Sequence, residues 1–250
     1  MITLNTDKLP EIVEMPVELW INGEKSITFM CSPYDLEDLA IGHIITRGLV
    51  KDISCIENII VKLSSYQIFV TTNTEISKEL YNVPTFVLSG TSSVSGFTDD
   101  IYKIPKVKSN FSVDIKKVME VAHKLVDEAV IYNSTGGVHG SIIYTDEKYY
   151  LREDIGRHCS VDKAIGAALK DGVNLSNCFI CTTGRISLDM LLKAAVVGIP
   201  LVSSFKYPSD MGVKLANHYD VAIVSKALLS EPLIYASTKR VIDNRKCNDY

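Results

Sequence analysis

Apolar positions along this chain switch between a period of two and a period near 3.6, and the switches mark its elements. Glu18-Leu19-Trp20-Ile21 and Ser26-Ile27-Thr28-Phe29-Met30 flank Asn22-Gly23. An Asn-Gly pair between two apolar runs predicts a tight hairpin, because both residues accept the positive φ of a two-residue turn. Ser32-Pro33-Tyr34-Asp35 then offers a capping hydroxyl, a proline for the first helical position and an acid in the first turn. Leu36, Leu39, Ala40 and Ile44 follow as one helical stripe that stops near Gly48. His43 lies on that stripe and reads as a satisfied, half-buried histidine. Two strands are expected within residues 56–72, on either side of Ser64-Ser65, and another short apolar run at 85–88.

The run SGTSSVSGFTDD from Ser89 to Asp100 is small, polar and glycine-bearing, which predicts an exposed, mobile linker. A helix should follow Asp114, with Ile115, Val118, Met119, Ala122, Leu125, Val126 and Ala129 inward and His123 solvated. From Asn177 the pattern is strand (179–182), helix capped by Ser187, strand (199–205), helix capped by Ser209, strand (221–224). That alternation requires parallel pairing. The expected fold class is therefore α/β: a three-layer core with parallel C-terminal strands, carrying the binding pocket in residues 112–250. Residues 1–111 should form a smaller β-rich part with one helix and the 89–100 loop.

Composition narrows the function. The 250 residues, 46% hydrophobic with a net charge of −4, are enough for a substantial core and provide no basic field to track nucleic acid. No apolar run approaches the roughly twenty residues of a membrane span, and the acidic, interrupted N-terminus does not resemble a signal peptide, so a cytoplasmic protein is expected. Six scattered cysteines in a chain of this size read as reduced thiols.

Polar chemistry concentrates between Ser134 and Asp162, STGGVHGSIIYTDEKYYLREDIGRHCSVD. Gly136 and Gly137 permit positive φ and close approach to a ligand, and His139 and His158 titrate near neutrality. In parallel sheets a ligand sits beyond the carboxyl ends of the strands, where helix N-termini point their N–H groups outward. Arg185, Lys206 and Ser209 fall there, and with Arg157 and Lys163 they would form a cationic rim suited to phosphate or pyrophosphate. Cys159, beside Arg157 at a helix start, is placed where a thiolate would be stabilised, but a passive thiol is the favoured reading. Cys178-Phe179-Ile180-Cys181 with His139 is similar in spacing to the zinc deaminase pattern, but position 141 is Ser instead of the general acid/base carboxylate and position 177 is Asn instead of Pro. A strand also sends residues i and i+3 to opposite faces, so no metal site is expected. A Ser-His-Asp hydrolase built from Ser92, Ser93, Ser95, His139, His158, Asp154 and Asp162 is the generic alternative, although no nucleophile elbow supports it.

Six stretches together resemble the signatures of the FdhD family of formate dehydrogenase accessory proteins. They are Pro33-Tyr34-Asp35-Leu36-Glu37-Asp38-Leu39-Ala40-Ile41-Gly42, Gly136-Gly137-Val138-His139, Arg152-Glu153-Asp154-Ile155-Gly156-Arg157-His158, Asp162-Lys163, Gly184-Arg185-Ile186-Ser187 and Gly198-Ile199-Pro200. The resemblance implies a zinc-free, cytidine-deaminase-like α/β core and a homodimer. It also implies a sulfur carrier that takes sulfur from a cysteine desulfurase and delivers it to the bis(molybdopterin guanine dinucleotide) molybdenum cofactor for formate dehydrogenase. On that reading Gly136, Gly137, His139, Arg157, His158, Lys163 and Arg185 would hold the cofactor, and GDP or GTP would mimic its nucleotide part.

Two departures stand out. The family's persulfide C-x-x-C loop corresponds to Gly90-Thr91-Ser92-Ser93-Val94-Ser95-Gly96, so Ser92 and Ser95 occupy the cysteine positions. A hydroxyl cannot carry a persulfide, which needs a soft, exchangeable nucleophile. Three explanations stay open: introduced replacements, a divergent member that binds the cofactor as a chaperone without moving sulfur, or another thiol such as Cys159 in that role. The family's glycine- and arginine-rich cofactor stretch corresponds to Lys226, Ala227, Leu228, Leu229, Ser230 and Glu231, where the glycines and the second arginine are absent.

Overall fold

The computed structural model describes residues 11–76 and 104–247. The apolar run expected at 85–88 and the stretch 89–100, with Ser92 and Ser95, lie outside the described residues. The Asn-Gly hairpin forms as expected: β1 (Met15–Ile21) pairs antiparallel with β2 (Glu24–Cys31), Ile21 opposite Glu24, while Asn22 and Gly23 take φ of 51° and 85°. Helix α1 (Leu36–Thr46) starts later than expected. Its N-cap is Asp35 at φ 53°, with no side-chain capping bond, because Ser32 is engaged elsewhere. The Ser32 hydroxyl accepts the N–H of Ile155, and its own N–H donates to Asp154.

Strands β3 (Ile56–Lys62) and β4 (Gln67–Thr72) complete a four-stranded sheet of order β2-β1-β4-β3, in which β1 and β4 run parallel. Alternate residues Val17, Leu19, Ile21, Ile68 and Val70 pack with Leu39, Ile44 and Ile45 of α1 into one core. Strand β5 (Val113–Asp114) leads into α2 (Ile115–Glu128), whose N-cap Asp114 accepts the N–H of Lys116. Short α3 (Val130–Thr135) ends at Gly136, and β6 (His139–Tyr144) and β7 (Tyr149–Asp154) form an antiparallel hairpin after it. Helix α4 (Arg157–Lys170), β8 (Phe179–Thr182), α5 (Leu188–Val196), β9 (Leu201–Ser204), α6 (Asp210–Tyr219), β10 (Ala222–Ser225), β11 (Leu233–Tyr235) and β12 (Val241–Ile242) follow.

The six-stranded sheet has order β11-β10-β9-β8-β6-β7, with β8, β9 and β10 parallel as the alternation required. Ile142, Cys181, Leu201 and Val224 face α2, whereas Ile143, Ile180, Val202 and Ile223 face the α4, α5 and α6 side. The sheet is thus the middle of three layers. Cys178 and Cys181 enter opposite layers, as strand geometry requires.

Helices α1 and α4 approach closely enough that only glycine fits. A Cβ at Gly42 would lie 1.8 Å from the Asp162 carbonyl oxygen, and one at Gly166 would lie 1.9 Å from that of Asp38. This crossing fastens the N-terminal sheet and its helix to the large core.

Candidate functional site

At the carboxyl edge of β8, β9 and β10, four hydroxyls stand side by side. Ser141 pairs in register with Thr182, Thr182 with Ser204, and Ser204 with Ser225, and all four are fully buried. The row faces α4, since Ser141 Oγ lies 2.8 Å from Ser160 Oγ. Two of the four, Thr182 and Ser204, fix the loops above. Thr182 Oγ1 accepts the N–H of Gly184, and Ser204 Oγ donates to the Gly184 carbonyl at 2.6 Å while accepting the N–H of Lys206. The Thr183-Gly184-Arg185 and Lys206 turns are therefore held by the sheet itself, and Arg185 and Lys206 are exposed upon it.

Because β6 runs antiparallel to β8, His139 begins at this same edge. Burial lowers its pKa first, and the nearby Arg157, Lys206 and Arg185 lower it further, so its imidazole is neutral near pH 7. Arg157 opens α4, directly after β7. Its guanidinium is disfavoured by burial and by Arg185, with Asp189 partly opposing, and its Nε is buried without an acceptor among the described residues. The N-cap of α4, Gly156, has no side chain to offer, and the Ser187 hydroxyl before α5 makes no capping bond. Two helix starts thus face the edge without side-chain caps. Of the expected rim residues, the structure brings together Arg157, Arg185 and Lys206, with His139 beside them.

His158 sits one residue further along, its Nε2 3.2 Å from the Asp189 carboxylate but not aligned as a hydrogen bond. Burial outweighs that carboxylate and pushes His158 down to about 4. Lys163 is elsewhere. It is fully buried, paired with Asp154 at 2.6 Å, donates to the Ser32 carbonyl and lies over the Tyr34 ring. Its charge holds α4 to the Ser32 turn and does not face the rim, which corrects the expectation.

Gly136 has φ 64° at the end of α3, where its N–H donates to the Tyr132 carbonyl; Gly137 is exposed, and a Cβ there would meet the Ile12 side chain at 2.1 Å. Glu153 caps the start of α3, accepting the N–H groups of Ile131 and Tyr132. The two glycines thus serve the α3–β6 turn and its packing on Ile12. Lys226, at φ 56° after β10, places its ammonium 4.5 Å from the Tyr207 ring, beside Lys206. Ala227 is buried and donates its N–H to the Ser204 carbonyl, Leu228 packs on the α2 layer, and Leu229, Ser230 and Glu231 are exposed.

Cys159 is the passive thiol that the sequence favours over a thiolate. Burial first, then Asp154 and Asp162, push its thiol well above the ordinary value, so the helix start does not ionise it. The signal for Asp189, an acid in the first turn after Ser187, was present in the sequence but unread. Nothing in the sequence alone aligns the four hydroxyls, because the register of neighbouring strands, whose paired residues lie far apart in the chain, sets that row.

Residues 12–242 match the FdhD/NarQ family. The chain belongs to that family. It is 28% identical over 237 residues to the sulfur carrier protein FdhD of Methanothermobacter thermautotrophicus, covering 94% of this chain and 93% of the relative. Against the protein of the same name from Staphylococcus aureus strain MRSA252, the identity is 26% over 239 residues, covering 94% and 90%. A solved structure from Desulfotalea psychrophila, described as a formate dehydrogenase accessory protein, superposes with a TM-score of 0.74 at 22% identity, covering 92% of this chain and 89% of that one. The family membership accounts for the six signature stretches, and the superposition for the three-layer fold. No helix among the described residues is long and apolar enough to cross a membrane.

Proposed function

We propose that this FdhD/NarQ member serves a formate dehydrogenase by holding the phosphate-bearing, guanine-nucleotide part of the bis(molybdopterin guanine dinucleotide) molybdenum cofactor at the carboxyl edge of the central sheet. The observation that carries this reading is Arg157. A guanidinium whose Nε is buried without an acceptor, crowded by Arg185, is costly unless an anion completes it. His139, Arg185 and Lys206 surround the same point, and the starts of α4 and α5 add unspent N–H groups.

The buried thiols favour the chaperone form of this role over sulfur transfer at their own sulfur atoms. On the resemblance, Ser92 and Ser95 stand at the positions of the family's cysteines. Cys159 is kept protonated by burial, and Cys31, Cys178 and Cys181 are each pushed up to about 12 by the same cause. Incubation with a cysteine desulfurase and cysteine, followed by peptide mass analysis, should show no added sulfur at Cys159. Sulfur found there would restore the carrier reading.

Calorimetry with GDP tests the ligand. Wild type should bind, and Arg157→Ala should bind roughly tenfold to a hundredfold more weakly, the loss expected for a hydrogen-bonded charge. Equal affinity of the two proteins would remove the main support for the cofactor reading. Turnover of a generic phosphoester would instead favour a hydrolase.

A further inference from the structure

Thr183 is buried at 3% exposure, directly after β8. Its Oγ1 accepts the N–H of Gly140 at 3.2 Å and lies 3.1 Å from His139 Nδ1. Its backbone N–H donates to the Gly140 carbonyl at 3.0 Å, so β6 holds this residue by both its hydroxyl and its backbone. A buried hydroxyl has one proton to place, and a backbone N–H cannot receive it. Among the described residues, His139 Nδ1 is the acceptor within reach.

An Nδ1 that accepts has no proton of its own, and a neutral imidazole then carries its proton on Nε2. The ring is neutral here, since burial and the cations Arg157, Lys206 and Arg185 all oppose its charging. Left to itself, the same ring could present a bare Nε2 lone pair to the site, which would repel an anionic oxygen.

We infer that Thr183 is a positioning residue that locks His139 in its Nε2–H tautomer, so that the sheet edge offers a neutral N–H donor to the anion held by Arg157, Arg185 and Lys206. The tautomer follows from this geometry alone. The identity of the anion rests on the nucleotide reading proposed above.

Nitrogen-15 spectra of histidine-labelled protein near pH 7.5, with GDP calorimetry on the same samples, test both halves. In wild type, His139 should show an unprotonated Nδ1 and a protonated Nε2. Thr183→Ser, which keeps the hydroxyl, should preserve both the spectrum and the affinity. Thr183→Val should mix the tautomers and weaken GDP roughly tenfold, the loss of one hydrogen bond to a charged acceptor. A protonated Nδ1 in wild type overturns the inference whether or not the valine variant folds. A valine variant that folds, by its circular dichroism, and keeps both spectrum and affinity also overturns it. If the tautomer shifts but the affinity does not, the role toward the ligand is lost. If wild type binds no GDP while its tautomer is as stated, the nucleotide reading fails and the Thr183–His139 lock stands.

Discussion

Two regions of this molecule gather charged residues, and they spend them in opposite ways. Where α1, α4 and α5 meet, charges are buried in opposite-sign sets. Lys193 donates to both oxygens of Asp162 at 2.9 and 2.8 Å, Thr46 donates to the same carboxylate, and His43 stands 3.5 Å away. Lys163 and Asp154 form a second such set with Ser32. At the carboxyl edge of the central sheet, Arg157, Arg185 and Lys206 crowd with like charge around a neutral His139, and Asp189 offsets only part of it. The pairing within each set, more than the residue types in it, separates a structural charge from a binding one. A buried ion is tolerable only when its partner is present, and a cation left unfinished at a cleft implies a partner from outside.

The largest effects should therefore come from the paired region, as losses of stability. Asp162→Ala leaves Lys193 buried without its carboxylate, and Lys163→Met does the same to Asp154. Each should cost about 3–5 kcal/mol in urea unfolding. If Lys163→Met instead keeps its stability and loses GDP affinity, Lys163 belongs to the rim after all and the comparison breaks.

The position of Lys163 also shows how far the sequence could be read. Its charge beside Arg157 and His158 was legible, but its partner carbonyl at Ser32 lies 131 residues away, and only the folded α1–α4 crossing brings the two together. The same contact explains the late start of α1: Ser-Pro-Tyr-Asp has the composition of a helix start, but tertiary bonds to Asp154 and Ile155 claim its serine. Cys159 is parallel, since its place at a helix start was legible whereas the burial and flanking carboxylates that hold its proton were not. Local signals read through: the Asn22-Gly23 hairpin, the Asp114 cap, and the three parallel strands whose ends collect Arg185 and Lys206.

Arg157→Ala should give an intermediate effect of the opposite kind. GDP affinity should fall by the tenfold to hundredfold given above, while the thermal midpoint holds or rises, because the change relieves a cation that burial and Arg185 disfavour. A collapse of stability would place Arg157 among the structural charges.

The pH response should be smaller and of definite sign. His158 is held near 4 and His43 and His139 below their ordinary value, so the folded protein binds fewer protons than the unfolded chain once the pH drops below about 6.5. This contribution to stability is complete above that pH and is lost as the pH falls toward 4. His158→Gln should flatten the stability curve across that window, measured by urea midpoints at successive pH values. An unchanged slope would show that His158 is not held neutral.

The most direct test of the central contrast is a backbone amide spectrum of the protein with and without saturating GDP. Shifts should concentrate at His139, Arg157, Thr183 to Ser187, Lys206 and Lys226, and should leave Gly42, Thr46 and the N-terminal sheet unmoved. Shifts centred on the α1–α4 crossing or on the N-terminal sheet, with the carboxyl edge silent, would contradict the assignment of the unpaired cations to ligand binding.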